Sequence, residues 1–140
     1  KFCDEKILKK LREIGHLAQY LDSKAEEIEE SNSKLGEGCL SNQVNGRRLT
    51  NLGTFRAYIE CYLKAHPNIN QEMTLIVRQL ATEGRGIPME IYCFSSVKEW
   101  AGYETIQADI FDHLFAIAPE FGLNVFQEPT GHDLQRIQNA

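Results

Sequence analysis

The sequence predicts an α+β fold, with helices packed on one face of a small sheet. Three observations carry this. Ile106, Ile110, Leu114 and Ile117, with Tyr103 one turn earlier, recur at steps of three and four and so share a helix face. Pro119 and Gly122 then stop that helix, because proline cannot continue it and glycine tolerates the turn, and Leu123–Gln127 reads as a short strand. Upstream, Met73–Leu80 and Ile87–Phe94 alternate in period two around a glycine-containing loop at Thr82–Gly86, the pattern of an antiparallel hairpin. A helix running through a turn into a strand, beside a hairpin, is half of a helix-on-sheet layer.

Taken in order, the chain opens with one long amphipathic helix over Asp4–Ser31. Ile7, Leu8, Leu11, Ile14, Leu17, Ala18, Leu21, Ala25 and Ile28 keep helical spacing, Asp4 and Glu5 suit its positive end, and Gly15 is a mild weakness. Asn32–Asn45 is rich in Ser, Asn and Gly and reads as a loop. Thr50 or Asn51 caps the next helix, which carries Leu52, Phe55, Ile59 and Leu63 on one side and ends at His66-Pro67. After the hairpin, with Pro88 tolerable at an edge, Ser96-Val97-Lys98-Glu99 reads as a capping box opening the last helix. The order from Thr50 onward is α-β-β-α-β. One strand before it would complete β-α-β-β-α-β, the ferredoxin-like order. Lys1–Cys3 is the candidate stub of that strand. The helix and loop over 1–46 are then an insertion, 47–128 the α/β domain, and 129–140 a polar, flexible tail.

At 140 residues the chain suits one domain with an appendage. A net charge of −5 argues against a nucleic-acid partner, which selects for a basic face. No apolar run approaches the roughly 20 residues that span a bilayer, and no signal-peptide pattern is present. The chain begins at Lys1 rather than Met, as expected of a piece of a longer protein. Cys3, Cys39, Cys61 and Cys93 form no CxxC pair and read as free thiols of a reducing compartment.

Candidate chemistry is thin. Asp109 and His113 stand four apart on one helix face, with Asp112 beside them. Two aligned ligands without an HExxH motif fall short of a metal site. Cys93 and His113 form a nucleophile–base dyad only if the fold brings them together. Arg47-Arg48 suits either an anion or surface ion pairs, and Gly84-Arg85-Gly86 is too short to cradle a phosphate. No catalytic, cofactor-binding or metal residue is assigned, and the chain is expected not to be an enzyme. Glu26, Glu27, Glu29 and Glu30 form an acidic run. It reads as a solvated helix face, with a second reading as a source of local negative potential.

Four stretches carry a family resemblance: Asn45-Gly46-Arg47-Arg48-Leu49-Thr50-Asn51-Leu52-Gly53-Thr54-Phe55-Arg56-Ala57-Tyr58, Met73-Thr74-Leu75-Ile76-Val77-Arg78-Gln79-Leu80, Ile87-Pro88-Met89-Glu90-Ile91-Tyr92-Cys93-Phe94, and Gln107-Ala108-Asp109-Ile110-Phe111-Asp112-His113-Leu114 continuing through Pro119-Glu120-Phe121-Gly122-Leu123. Together they resemble the C-terminal cytoplasmic region of the small-conductance mechanosensitive channel (MscS) family, in its YbdG-like branch, over nearly the whole chain. The resemblance implies an α/β vestibule domain at 47–128, on the cytoplasmic side of the inner membrane. Pore helices and a β-rich domain would lie upstream, and the first strand would precede Lys1. The full channel would be a homoheptamer that opens under membrane tension and releases ions and small solutes during hypo-osmotic shock. Glu26, Glu27, Glu29 and Glu30 would then bias the vestibule toward cations, as acidic rings do elsewhere. The competing expectation is a ferredoxin-like module that binds a small ligand and regulates or oligomerises, since fold alone does not decide function.

Overall fold

The computed structural model describes residues 1–36, 38–82 and 84–131. Its elements are α1 (Glu5–Arg12), α2 (Ala18–Ser33), α3 (Asn51–Ala65), β1 (Ile76–Gln79), β2 (Met89–Tyr92), α4 (Trp100–Ile117) and a 3₁₀ turn (Ala118–Phe121). The fold is α+β. β1 and β2 pair antiparallel, with Val77 opposite Ile91 and Arg78 opposite Glu90.

The predicted single helix over Asp4–Ser31 is two helices. Asp4 caps the first by accepting from the Ile7 amide at 2.9 Å. The chain then leaves helical geometry around Gly15 and resumes at Ala18. Arg12 and Asp22 show how sharply it turns, since their side chains meet at 3.0 Å. Ten residues of continuous helix would hold them about 15 Å apart along the axis. The break lets Leu11, Leu17 and Leu21 all reach the core. α2 also runs two residues past the predicted helix end, to Ser33.

α3 follows the sequence closely. The Thr50 hydroxyl accepts from the Gly53 amide at 3.1 Å, and His66 leaves helical geometry just before Pro67. The hairpin strands are shorter than predicted, but their pairing continues beyond both ends. Leu80 N–H donates to Pro88 C=O, and on the far side Ile69 bridges Ser95. That second bridge displaces the start of α4. Ser96 N–H is engaged by Asn68 C=O, so the expected capping box does not form. Glu99 caps the helix instead, its carboxylate accepting from the Ala101 and Gly102 amides.

Two corrections concern the sheet. Leu123–Gln127 is not a strand: apart from Leu123 N–H on Ala118 C=O, its backbone has no hydrogen-bonded partner among the described residues. Lys1–Cys3 does not join the sheet either. Phe2 bridges Thr50, and Cys3 N–H donates to Leu49 C=O, so the stub pairs with the approach to α3. The described sheet therefore has two strands, and the ferredoxin-like order is represented only by its α3-β1-β2-α4 middle. Of the tail predicted at 129–140, residues 129–131 are exposed and 132–140 lie outside the described residues.

Ile106, Ile110 and Leu114 of α4 face the core as the periodicity requires, whereas Tyr103 lies beyond the buried stripe and is exposed. The core centres on Phe121, which is 0% exposed and lies 5.0 Å from the Phe55 ring and 5.4 Å from the Tyr58 ring. Gly122 follows at φ 65°, a left-handed conformation that costs other residues about 1–2 kcal/mol. Phe121→Ala is expected to lower unfolding free energy by about 3–5 kcal/mol in urea titration. A loss below about 1 kcal/mol would mean that Phe121 does not anchor the core.

Candidate functional site

The histidine singled out in the sequence does sit in a cluster, though not the expected one. Tyr58 and Tyr62 stand one turn apart on α3 and project toward α4. The Tyr58 hydroxyl and His113 Nε2 share a 2.7 Å hydrogen bond, and the Tyr62 ring stacks on His113 with centroids 4.6 Å apart. His66 meets the far edge of Tyr62. Burial raises both phenol pKa values, with Tyr62 and Asp109 respectively adding smaller electrostatic contributions in the same direction. Both phenols therefore stay protonated at neutral pH. A protonated hydroxyl that closes a helix–helix contact is a packing device with a polar lock. The i, i+4 spacing of Tyr58 and Tyr62 was the available sequence signal for it.

Asp109 and Asp112 are exposed on α4, and no group of three potential ligands could hold a metal among the described residues. His113 is committed to Tyr58 and Tyr62, and no contact joins it to Cys93 among the described residues. Cys93 packs against the core, where desolvation pushes its thiol pKa up and disfavours the nucleophilic thiolate. Burial acts the same way on Cys3 and Cys61, and all four cysteines are free thiols.

The basic pair is consumed locally. Arg47 bonds Glu27 at 2.6 Å, while the Arg48 guanidinium donates to the Leu40 and Gln43 carbonyls and closes the turn before α3. Arg85, at the tip of the hairpin, pairs with Glu128. Glu26, Glu27, Glu29 and Glu30 all lie exposed on α2. Glu27 is held ionised below its ordinary range by hydrogen bonds from Lys24 and Arg47, and Glu30 pairs with Lys34. Glu26 and Glu29 make no ion pair among the described residues, so they carry most of the uncompensated charge of that face.

One side of the domain carries an apolar groove. Its volume is about 480 Å³, and it lies between β2, the exposed flank of α4 and residues 123–126, with Phe55 and Ile59 of α3 in its wall. Ile87, Phe111, Phe115, Val125 and Phe126 line it while remaining 39–55% exposed. On the opposite side of the hairpin, β1 has no second neighbour among the described residues. Met73, Ile76 and Leu80 stand exposed along it. Scattered exposed apolar residues are ordinary, but a continuous apolar groove and a bare strand edge are features of surfaces that meet something.

No protein-family model matches the chain, and no solved structure matches it significantly. No described helix is long and apolar enough to cross a membrane.

Tyr58→Phe removes one partner of the lock and leaves the His113 ring nitrogen half-buried without it. The expected loss is about 1–3 kcal/mol of unfolding free energy, read by thermal or urea denaturation. A neutral substitution would show that water replaces the hydroxyl and that the stacking alone joins α3 to α4.

Proposed function

We propose that this chain is the cytoplasmic vestibule domain of a mechanosensitive channel of the small-conductance type: a non-catalytic assembly module with the ferredoxin-like β-α-β-β-α-β order, working as a homoheptamer within an integral membrane protein. The four stretches of resemblance support the family, and the α3-β1-β2-α4 succession matches the middle of that order. The observation that carries the assembly reading is the outer edge of β1. It presents backbone groups that are unpaired among the described residues, flanked by exposed Met73, Ile76 and Leu80, a surface suited to a neighbouring subunit. In this reading, membrane tension opens a pore upstream. Ions and small solutes leave through the vestibule, and no cofactor or nucleic acid takes part.

The deciding experiment uses the native full-length protein in its own cells, detected by an antibody to this domain. Membranes are separated from cytosol, and the detergent-solubilised complex is sized. A membrane-bound homoheptamer is the expected result, and a soluble monomer or dimer overturns the reading. In the intact channel, changing Glu26, Glu27, Glu29 and Glu30 to Gln should shift the reversal potential in a salt gradient. Glu26 and Glu29 should account for most of the shift, because Glu27 and Glu30 are already paired. An unchanged reversal potential removes the acidic face from the permeation path.

A second reading, a small-ligand regulatory module, is favoured by the volume and apolar lining of the groove. A metabolite that raises the melting temperature in a dose-dependent way, in a protein found soluble in cells, would select it.

A further inference from the structure

The loop between α2 and α3 holds a dipeptide whose chemistry neither functional reading uses. Of the eight asparagines in the chain, only Asn45 is followed by glycine. An asparagine side-chain amide is a weak electrophile, and the backbone nitrogen of the next residue is the nucleophile nearest to it. A Cβ on that next residue crowds the approach, and glycine has none. Asn45-Gly46 is therefore where this ring closure meets the least steric resistance.

The structure adds three conditions. Asn45 is exposed, so water reaches its amide. The neighbouring backbone amides are engaged: Val44 N–H donates to Asn42 Oδ1 at 3.1 Å, Asn45 N–H to Asn42 C=O at 3.1 Å and Arg47 N–H to Asn32 Oδ1 at 2.8 Å. The Gly46 N–H has no hydrogen-bond partner among the described residues, so the nucleophile is the amide left over. The Asn45 side-chain nitrogen donates to Cys39 C=O at 3.1 Å, an exposed bond that opens readily. Finally, packing fixes the glycine. A methyl group on Gly46 would stand 2.8 Å from the Leu40 side chain and 3.2 Å from Asn32 Oδ1. Gly46 does not have a positive φ, so close contact and not conformation demands glycine there. Asn32-Ser33 offers the next smallest following residue among the described asparagines. It lies in α2, where the helix holds the backbone and Arg47 engages both ends of the Asn32 amide.

We propose that Asn45-Gly46 is a site of spontaneous modification that unlatches the loop between α2 and α3. The Gly46 nitrogen gives its proton to solvent and bonds to Asn45 Cγ. The Cγ–Nδ2 bond breaks, ammonia leaves, and a five-membered succinimide remains. Water then opens the ring. Breaking the new bond at Cγ gives aspartate, and breaking the original backbone bond gives isoaspartate. Water is the one co-reactant, nothing is oxidised or reduced, and either product carries one more negative charge at neutral pH. Isoaspartate also lengthens the main chain by one carbon. That carbon enters directly ahead of Gly46, where the contacts leave no room for a methyl group, and of Arg47, which is tied to α2 three times. Asn32 accepts from its N–H at 2.8 Å and donates to its C=O at 3.0 Å, and Glu27 pairs with its guanidinium at 2.6 Å. The longer chain pulls Arg47 off α2 and frees the Glu27 carboxylate, so the acidic face gains charge as the loop opens.

The test keeps the 140-residue chain in mildly alkaline buffer, which favours the deprotonated backbone nitrogen, and samples it over time. Digestion and mass spectrometry follow the amide-to-acid mass increase at each asparagine, and electron-capture fragmentation separates aspartate from isoaspartate. Asn45 is expected to convert about tenfold or more faster than Asn42, the exposed asparagine of the same loop, which is followed by Gln43. Asn45→Gln, whose longer side chain closes a less favourable ring, should remove the signal. Amide hydrogen exchange is then read at Arg47 in the isolated isoaspartate form and in Asn45→Asp, which has the charge without the extra carbon. Exchange in the isoaspartate form should be about tenfold or more faster, because the Asn32 bond is lost. Asn45→Asp should stay close to the unmodified chain. Conversion of Asn45 no faster than that of Asn42 overturns the site. Unchanged Arg47 exchange in the isoaspartate form overturns the unlatching, and so does an equal change in Asn45→Asp, which would assign the effect to charge. None of these outcomes bears on membrane location or channel activity, so the proposal stands or falls apart from the channel reading.

Discussion

Asn51 is the joint on which the rest of the structure depends. It is a polar residue only 3% exposed, and both ends of its side-chain amide are hydrogen-bonded. Oδ1 accepts from the Lys1 amino group and from the Leu52 amide, and Nδ2 donates to Gly122 C=O. Its own amide donates to Lys1 C=O. One residue therefore fixes the amino end of the chain, the first turn of α3 and the turn that follows α4. Those three points are far apart in sequence, and no apolar side chain could hold them in one geometry, since hydrophobic contact has no direction. The turn at Gly122 in turn keeps Phe121 inside, against Phe55 and Tyr58. α3 and α4 thus meet around one aromatic residue whose position is set by hydrogen bonds on either side of it.

What could be read from the sequence follows from which interactions are local. The start of α3 at Thr50 and its end before Pro67 are decided within a few residues, and both stand as predicted. So does the buried stripe Ile106, Ile110 and Leu114, because helical spacing is a property of the helix itself. Gly15 marked a weak point but not a break. Leu11, Ile14, Leu17 and Leu21 keep their period across it, while the helix stops at Arg12, resumes at Ala18 and turns enough for Arg12 to meet Asp22. The capping box at Ser96 was locally sound. It lost to a non-local partner, because Asn68 C=O takes the Ser96 amide and leaves Glu99 to cap the helix. Residues 123–127 read as a short strand after the turn, but a strand is made by its neighbour, and the described residues supply none.

The candidate chemistry divides along the same line. Sequence spacing drew attention to Asp109, Asp112 and His113 as possible ligands. Packing assigns His113 to Tyr58 and Tyr62 instead, with the two aspartates left in solvent. Arg47, Arg48 and Glu27 are likewise spent on closing the loop between α2 and α3. Half-buried thiols with raised pKa values and protonated phenols are poor nucleophiles and poor bases. The polar side chains of the interior are satisfied, and no buried side-chain nitrogen or oxygen lacks a partner among the described residues. Among the described residues, backbone groups without a protein partner lie along the outer edges of the two-stranded sheet.

Those two edges are not equivalent. A two-stranded hairpin is marginal in water, so β1 and β2 owe their stability to the helices beneath them. The β1 edge is open to solvent, bordered by Met73, Ile76 and Leu80, and a partner can approach it from outside. The β2 edge is recessed. It faces residues 123–126 across the apolar groove, whose walls approach each other at Gly86 and Phe126. The two edges therefore differ in access: the first is bare, and the second faces other residues of its own chain across an apolar floor of α3 and α4 side chains.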